Sequence, residues 1–571
     1  MVPAATLTTS KRWVIALLVS SVFFVLYVFF PTHAHLSYGQ DSLEFAYWVE
    51  TGVVTSINRH FLWNILFFYS FELYQLVGGE ATALWWGQFI SNIFGAAGVG
   101  CCYLLLSSLD LKKISSAISL LFAIFLGVAY SYYHFSVEAT PQVFANFLRL
   151  LFLLVLLNYR EKLTPARLVG FGIGLGVVFH SEMMGIYFLI PCCFILYRFM
   201  RRSHVPLIHL GSFLCFVILS YLSLYICGAL LFLDIPLWEM VGSILWRGEN
   251  YTNLLTDSPV GLLYLLQTIL HIDGLRNPSI GVQESIDLSY LLYPQFLLFF
   301  CFLIYLLSHA KKLISSANRE MRDLFVFSVL WWLILVLVQI LREPRALDNW
   351  SYSLIPFILC LFLLWSCSEE GNRNFLVKRV VLVLVIGSVG LHNFITGIYP
   401  NSRFDGYEVS AQQHYLQTQL ADVEKEDTLL FISDFGNYDI YALYFIAKAN
   451  HQSKQVILLD GSYHHAFNPR SEPAVLQENL NQIREGIGRV HVVVFPVEIQ
   501  SGTMGVQVFD HLYDRFEFKE RAVDPFWNHE ERLIKAFEMI NILETEFSIE
   551  RSSYHDEMSL LYLKLSRNVL P

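Results

Sequence analysis

The sequence predicts an α-helical polytopic membrane protein with about eleven transmembrane helices, followed by a soluble α/β domain at its C-terminus. Three observations predict it. Charged residues make up 15% of the 571-residue chain and hydrophobic residues 55%, whereas a soluble chain carries about 25% charged residues. The mean hydropathy is +0.49. Long apolar runs recur to about residue 397 and then stop, and most are of bilayer-spanning scale.

The elements follow in order. Lys11-Arg12 precede an apolar run to Phe30 of about 18 residues, with no small-x-small cleavage site after it. It reads as an uncleaved first helix rather than a signal peptide. Further spans fall near 84–107, 115–131, 141–158, 168–179, 182–198, 207–233, 289–307, 323–341, 350–366 and 380–397. The fifth and sixth are short, which sets the reversal at His180-Ser181 below the membrane surface. Two connecting loops are long, 31–83 and 234–288. Phe61–Val77 in the first is apolar but holds Glu72 and Gln75, so an interfacial helix is expected there. Val260–Ile272 in the second is short and is expected to lie on the membrane.

Basic residues orient the bundle. With the N-terminus cytoplasmic, 17 Lys and Arg residues fall on the inside, from Lys11 and Arg12 to Lys378 and Arg379. Only 5 fall in the outer loops of the bundle: Arg59, Arg247, Arg276, Arg342 and Arg345. The positive-inside rule selects this orientation, and an odd number of spans then puts the C-terminal domain outside. Residues 1–399 form the membrane domain and 400–571 the soluble one. In the latter, Thr428–Ser433, Gln455–Asp460 and Val490–Val497 read as strands alternating with helices to Ala449 and over Ala474–Glu485, a small parallel sheet. Asp434-Phe435-Gly436 reads as a strand-to-helix turn.

The net charge of −10 sums opposite environments and names no partner; no nucleic-acid partner is expected. The nine cysteines lack metal-site spacing and read as small buried apolar residues. The triplet Asn250-Tyr251-Thr252 would be a glycosylation acceptor only in a secretory pathway.

Polar groups at the ends of apolar spans carry more information, because desolvation makes them costly. The sharpest cluster is Gly39-Gln40-Asp41-Ser42-Leu43-Glu44-Phe45. If 42–51 is helical, Asp41 caps it and Glu44 sits one turn along. The pair is either a capping box or two carboxylates that divide proton transfer and ligand binding. Glu138, before Pro141, either steadies a helix N-terminus or faces the same cavity. His180, beside Ser181 and Glu182, is either a hydrogen-bonded structural group or a ligand. Arg342-Glu343-Pro344-Arg345 is either a surface network or a phosphate clamp, since arginine grips such oxygens through forked hydrogen bonds. Arg149, inside the fourth span, faces the bundle with no partner legible in the sequence.

This order of a first span, an outer Asp-Ser-x-Glu-Phe loop and a His-containing turn resembles the GT-C superfamily of membrane glycosyltransferases. The resemblance is closest to bacterial multi-pass relatives of the transmembrane O-mannosyltransferases, where Asp-Ser-Gly-Glu-Phe is usual. Here Asp41-Ser42-Leu43-Glu44-Phe45 has Leu43 for Gly. Arg59-His60-Phe61-Leu62-Trp63 keeps only the His of a His-Pro-Pro-Gly-Tyr-type turn. Ser136-Val137-Glu138 resembles the acidic second outer loop, Phe179-His180 a His turn, and Glu343-Pro344-Arg345 an outer-loop Glu-Pro-Arg stretch. The resemblance spans roughly residues 1–400.

The resemblance implies a polyprenyl-phosphate-linked sugar donor, a lipid, glycan or protein acceptor, and transfer of a hexosyl or mannosyl-type sugar on the non-cytoplasmic face. It makes Asp41 the general base and Glu44 its companion. It makes His60, Glu138, His180, Arg342, Glu343 and Arg345 substrate-binding residues, with the arginines on the departing lipid phosphate. No cofactor is certain. Glu44 and Glu138 orient the acceptor or bind a divalent metal ion, which some relatives need and others do not. A bacterial inner membrane is the expected location. The rival readings are a transporter or flippase for a lipid-linked glycan, and a receptor. Transporters show internal repeats and midplane breaks, neither of which is legible here. A receptor leaves the outer acids and arginines unexplained.

Overall fold

The computed structural model describes residues 9–31, 40–50, 52, 57–109, 116–232, 254–272, 293–315, 318–342, 347–369, 375–402, 415, 418–424, 426–433, 444–445, 448, 455–460, 473–486, 488–495, 509, 529–555 and 560–568. It divides into two compact units, one of residues 1–45 and 57–403, the other of residues 46–56 and 404–571. The turn at Asp434–Gly436, most of the helix to Ala449 and the Asn250 triplet lie outside the described residues.

The first unit is helical. Its opening helices are α1 (Thr9–Phe29), α2 (Gln40–Glu50, of which 40–45 belong here), α3 (Ile57–Leu76), α4 (Ala83–Ser108) and α5 (Ser116–Val128). Next come α6 (Tyr130–Ser136), α7 (Gln142–Asn158), α8 (Pro165–Ser181), α9 (Leu189–Arg202) and α10 (Ile208–Phe232). The rest are α11 (Leu254–Gln267), α12 (Pro294–Leu307), α13 (Ala310–Ile314), α14 (Arg319–Arg342), α15 (Leu347–Trp350), α16 (Leu354–Glu369), α17 (Phe375–Asn393) and α18 (Tyr399–Ser402). Among the described residues, each apolar run of the sequence is helical over most of its length. Among the described residues seven are long and apolar enough to cross a membrane, or eight if the bent pair α5–α6 is one span. The difference from eleven lies in length: α7 and α8 have 17 residues each and α9 has 14, short of the roughly 20 that span a hydrocarbon core. The chain is an integral membrane protein. Leu17, Leu18, Phe29, Leu376 and Val377 are exposed on helix faces, as lipid-facing side chains must be.

Packing follows the sequence. α1 buries Ala16, Val19, Phe23 and Tyr27, a stripe at helical spacing. α8 approaches α10 through glycines: a Cβ on Gly172 would lie 2.6 Å from the Phe213 carbonyl oxygen, and one on Gly176 2.9 Å from that of Val217. The bend of 66° between α5 and α6 frees backbone groups that are satisfied locally. Asn393 Nδ2 donates to the Val128 and Ile269 carbonyls at 2.8 and 2.7 Å, and Tyr130 N donates to Ile269 O at 3.2 Å.

Among its described residues the second unit holds a five-stranded mixed sheet, β1 (Thr428–Ser433), β2 (Gln455–Asp460), β3 (Val490–Phe495), β4 (Phe547–His555) and β5 (Leu560–Arg567), in the order β2-β1-β3-β5-β4. The β2-β1-β3 core is parallel, as the alternation of strands and helices predicts, and β5-β4 adds an antiparallel hairpin. Two helices, α19 (Pro473–Glu485) and α20 (His529–Glu546), cover it. Asp427, just before β1, accepts from Glu424 N (2.9 Å), Arg489 N (2.8 Å) and His491 Nε2 (3.0 Å), and Tyr562 OH lies 2.7 Å from His491 Nδ1.

Candidate active site

Four stretches of the first unit meet at one end of the bundle: the start of α2, the kinked start of α3, the α6–α7 turn, and the turn that ends α8. α2 begins at Gln40, so Asp41 lies within its first turn rather than ahead of it as a cap. Ser42, next in the chain, donates from Oγ to Glu138 Oε2 at 2.9 Å, and both are 0% exposed. That bond ties the acidic turn of α2 to the acidic residue before α7. Glu44 is also buried.

α3 is broken at His60, whose backbone leaves the helical region at φ −135°, ψ 36°. The break aims the ring at the end of α8, where His60 Nδ1 meets Glu182 Oε2 at 2.5 Å, and Phe45 sits edge-on to the ring. Glu182 is itself extended (φ −168°), and a short 3₁₀ turn, Met183–Phe188, follows. His180 is engaged elsewhere: its Nε2 lies 2.7 Å from the Tyr221 carbonyl and its ring stacks on Tyr221. A carbonyl only accepts, so Nε2 carries the hydrogen and ties α8 to α10.

Of the residues singled out in the sequence, the structure brings together the Ser42–Glu44 turn, His60 and Glu138. Asp41 is placed by its backbone alone. Arg342 closes α14; its side chain, Glu343 and Arg345 lie outside the described residues. One residue joins the cluster that the motifs do not single out. Glu182 is the partner of His60, 122 positions away, and its one signal in the sequence is an acid at the end of an apolar run. Arg149, on α7, is 1% exposed, donates from Nη1 to Asn146 Oδ1 at 3.4 Å, and lies with its guanidinium carbon 4.3 Å over the Tyr352 ring.

Taking several ionisable groups out of water costs several kcal/mol each unless they are paired. A fold that gathers Glu44, Glu138, Glu182 and His60 at one end of an apolar bundle, with Arg149 buried midway along α7, therefore holds a set suited to proton transfer and to recognition of charged ligands. No family model matches the chain, and no curated protein matches it. Solved structures do. The apo structure of ArnT from Cupriavidus metallidurans matches with a TM-score of 0.52 at 12% identity, over 86% of this chain and 94% of that one. The fold is that of the GT-C glycosyltransferases. ArnT bound to undecaprenyl phosphate gives a TM-score of 0.47 at 10% identity over 98% of both chains. An Archaeoglobus fulgidus oligosaccharyltransferase in complex with Zn and sulfate gives 0.45 at 12% identity, over 96% of this chain and 72% of that one. The fold assignment rests on the first. Within this GT-C fold, no group of three or more His, Cys, Asp or Glu side chains among the described residues is placed to hold a metal ion.

Proposed function

We propose that the chain is a membrane glycosyltransferase that moves a sugar from a polyprenyl-phosphate carrier to an acceptor hydroxyl on the non-cytoplasmic face. The observation that carries this reading is the Ser42–Glu138 hydrogen bond of 2.9 Å. It sets the Asp41–Glu44 turn against a second buried carboxylate, within a GT-C fold.

Asp41 takes the proton of the acceptor hydroxyl, whose oxygen attacks the anomeric carbon. The bond from that carbon to the phosphate oxygen breaks, its electron pair stays with the departing polyprenyl phosphate, and the configuration inverts. Glu44 and Glu138 orient the acceptor, and Arg342 and Arg345 take up charge on the leaving phosphate. The bundle counts about eleven spans in this reading, with the shorter helices crossing as well, and the C-terminal domain stands outside a bacterial inner membrane.

A flippase for the lipid-linked glycan has one observation in its favour, the broken span α5–α6, since transporters use such breaks to bind substrate. Here the freed backbone groups are capped by Asn393 and by residues 268–269, which leaves the break a fixed joint.

Asp41→Asn tests the catalytic assignment. Asn keeps the size and shape of Asp and at most forgoes about 0.3–1 kcal/mol of helix-dipole stabilisation in a first turn, but its amide takes no proton at neutral pH. Transfer by the purified variant is expected to fall by about 10²–10⁴-fold with unchanged thermal stability, and Glu44→Gln to fall less. Near-parental transfer by a well-folded Asp41→Asn protein removes Asp41 from the mechanism.

A further inference from the structure

Arg149 stands midway along the apolar helix α7 and is almost wholly buried. Helical side chains lean toward the N-terminus of their helix, and its contacts agree: Asn146 one turn earlier, and Tyr352 at the start of the next-to-last long helix. The guanidinium is thus fixed on two sides, through Nη1 and through its flat face. Nε and Nη2 have no hydrogen-bond partner among the described residues. These two nitrogens share one edge, the fork with which arginine grips two oxygens of one oxyanion. Glu182 is the carboxylate whose charge reaches Arg149, but its Oε2 is on His60.

A guanidinium keeps its proton at any physiological pH. It cannot escape the cost of burial by neutralising, so a buried, pre-oriented fork with no protein partner on Nε and Nη2 among the described residues calls for an anion in the working state. We propose that the Nε–Nη2 edge of Arg149 binds a phosphate group, which on the reading above is that of the polyprenyl-linked sugar. This inference rests on that reading for the source of the phosphate, though not for the existence of the anion site. When the sugar leaves, the phosphate passes from a diester with one negative charge to a monoester that gains a second. A fork already in place holds that charge without reorganisation. Arg149 therefore acts on kcat as well as on donor affinity.

The test uses the purified full-length protein in detergent, with unfolding temperature followed against undecaprenyl phosphate, undecaprenol and inorganic phosphate. Undecaprenyl phosphate is expected to stabilise the parent and undecaprenol to leave it unchanged. Arg149→Met is expected to weaken undecaprenyl phosphate about ten- to a hundredfold, and Arg149→Lys by less, since it keeps the charge and loses the fork. A structural post and a ligand site differ in the ligand-free protein. Removing a structural post lowers stability, whereas removing a buried charge that no protein group pairs does not. Arg149→Met that binds undecaprenyl phosphate as tightly as the parent overturns the inference, whether or not it is less stable, and leaves the glycosyltransferase reading in place. Arg149-dependent stabilisation by inorganic phosphate, with none from undecaprenyl phosphate, keeps the anion site and overturns the lipid donor. A parent stabilised by neither overturns both.

Discussion

His491 shows how much a single buried side chain can couple to solution conditions. Its Nε2 faces a carboxylate, which only accepts, so Nε2 carries the hydrogen and Nδ1 accepts from the Tyr562 hydroxyl. Burial pushes the imidazole below its ordinary value, and the bond to Asp427 only partly opposes this. Burial pushes the Asp427 carboxyl up, but the bonds from Glu424 N, Arg489 N and His491 hold it below the usual carboxylate range. Both groups therefore have a lower pKa folded than unfolded. The unfolded chain binds more protons, and stability rises with pH. Loss begins as pH falls below about 6.5, where the unfolded imidazole protonates, and continues below about 3.9 as the unfolded Asp427 does. Denaturant unfolding of the full-length protein at pH 7.5 and 5.5 is expected to show this loss. His491→Leu should be less stable at pH 7.5, because Asp427 and Tyr562 lose a partner, but with a flatter pH dependence. An unchanged slope in the variant contradicts the linkage.

At the same scale, the costly residues of the membrane unit were legible as costs rather than as pairs. Glu138 and Arg149 announce themselves as ionisable groups at or inside apolar runs. Their companions, Ser42 at 96 positions and Tyr352 at 203, are set by packing between distant helices, which no local pattern encodes. His180 stood out for the same reason as His60, yet it ties α8 to α10 while His60 meets Glu182.

Among the elements, the helices were the most legible, because a bilayer leaves long apolar segments few alternatives. The interruptions were less so. The non-helical backbone at His60, the 3₁₀ turn after Glu182 and the π-helical turn Phe394–Ile398 depend on tertiary contacts and leave the run of apolar letters unchanged. In the soluble unit the parallel strands were legible from their apolar cores. The β4-β5 hairpin was not, since β4 reads Phe-Ser-Ile-Glu-Arg-Ser-Ser-Tyr-His and fully buries only Phe547 at the sheet edge. The α8–α10 contact gives the element-scale prediction. Gly172 and Gly176 let the backbones approach as small residues do at spacing four in membrane helices. Gly176→Leu would meet Ser220 and the Val217 carbonyl and is expected to lower the unfolding temperature in detergent and reduce the monodisperse fraction. A leucine variant as stable as the parent would mean that α10 is not seated as described.

The whole molecule joins a membrane bundle of GT-C fold to an α/β domain, and its fold class was readable from the place where the apolar runs end. The number of crossings was less so: short helices such as α7, α8 and α9 are apolar by composition without being long enough on length alone. Fold does not by itself decide between moving a sugar and moving a lipid, so the decisive measurement follows the bond. The purified protein is reconstituted in vesicles with undecaprenyl-phosphate-linked sugars labelled in the sugar, and membrane extract supplies acceptors. A glycosyltransferase releases free undecaprenyl phosphate in step with label appearing on a new hydroxyl, and Asp41→Asn stops both. Intact labelled lipid that equilibrates between the two leaflets, with no cleavage of the sugar–phosphate bond, would contradict the account and establish a flippase.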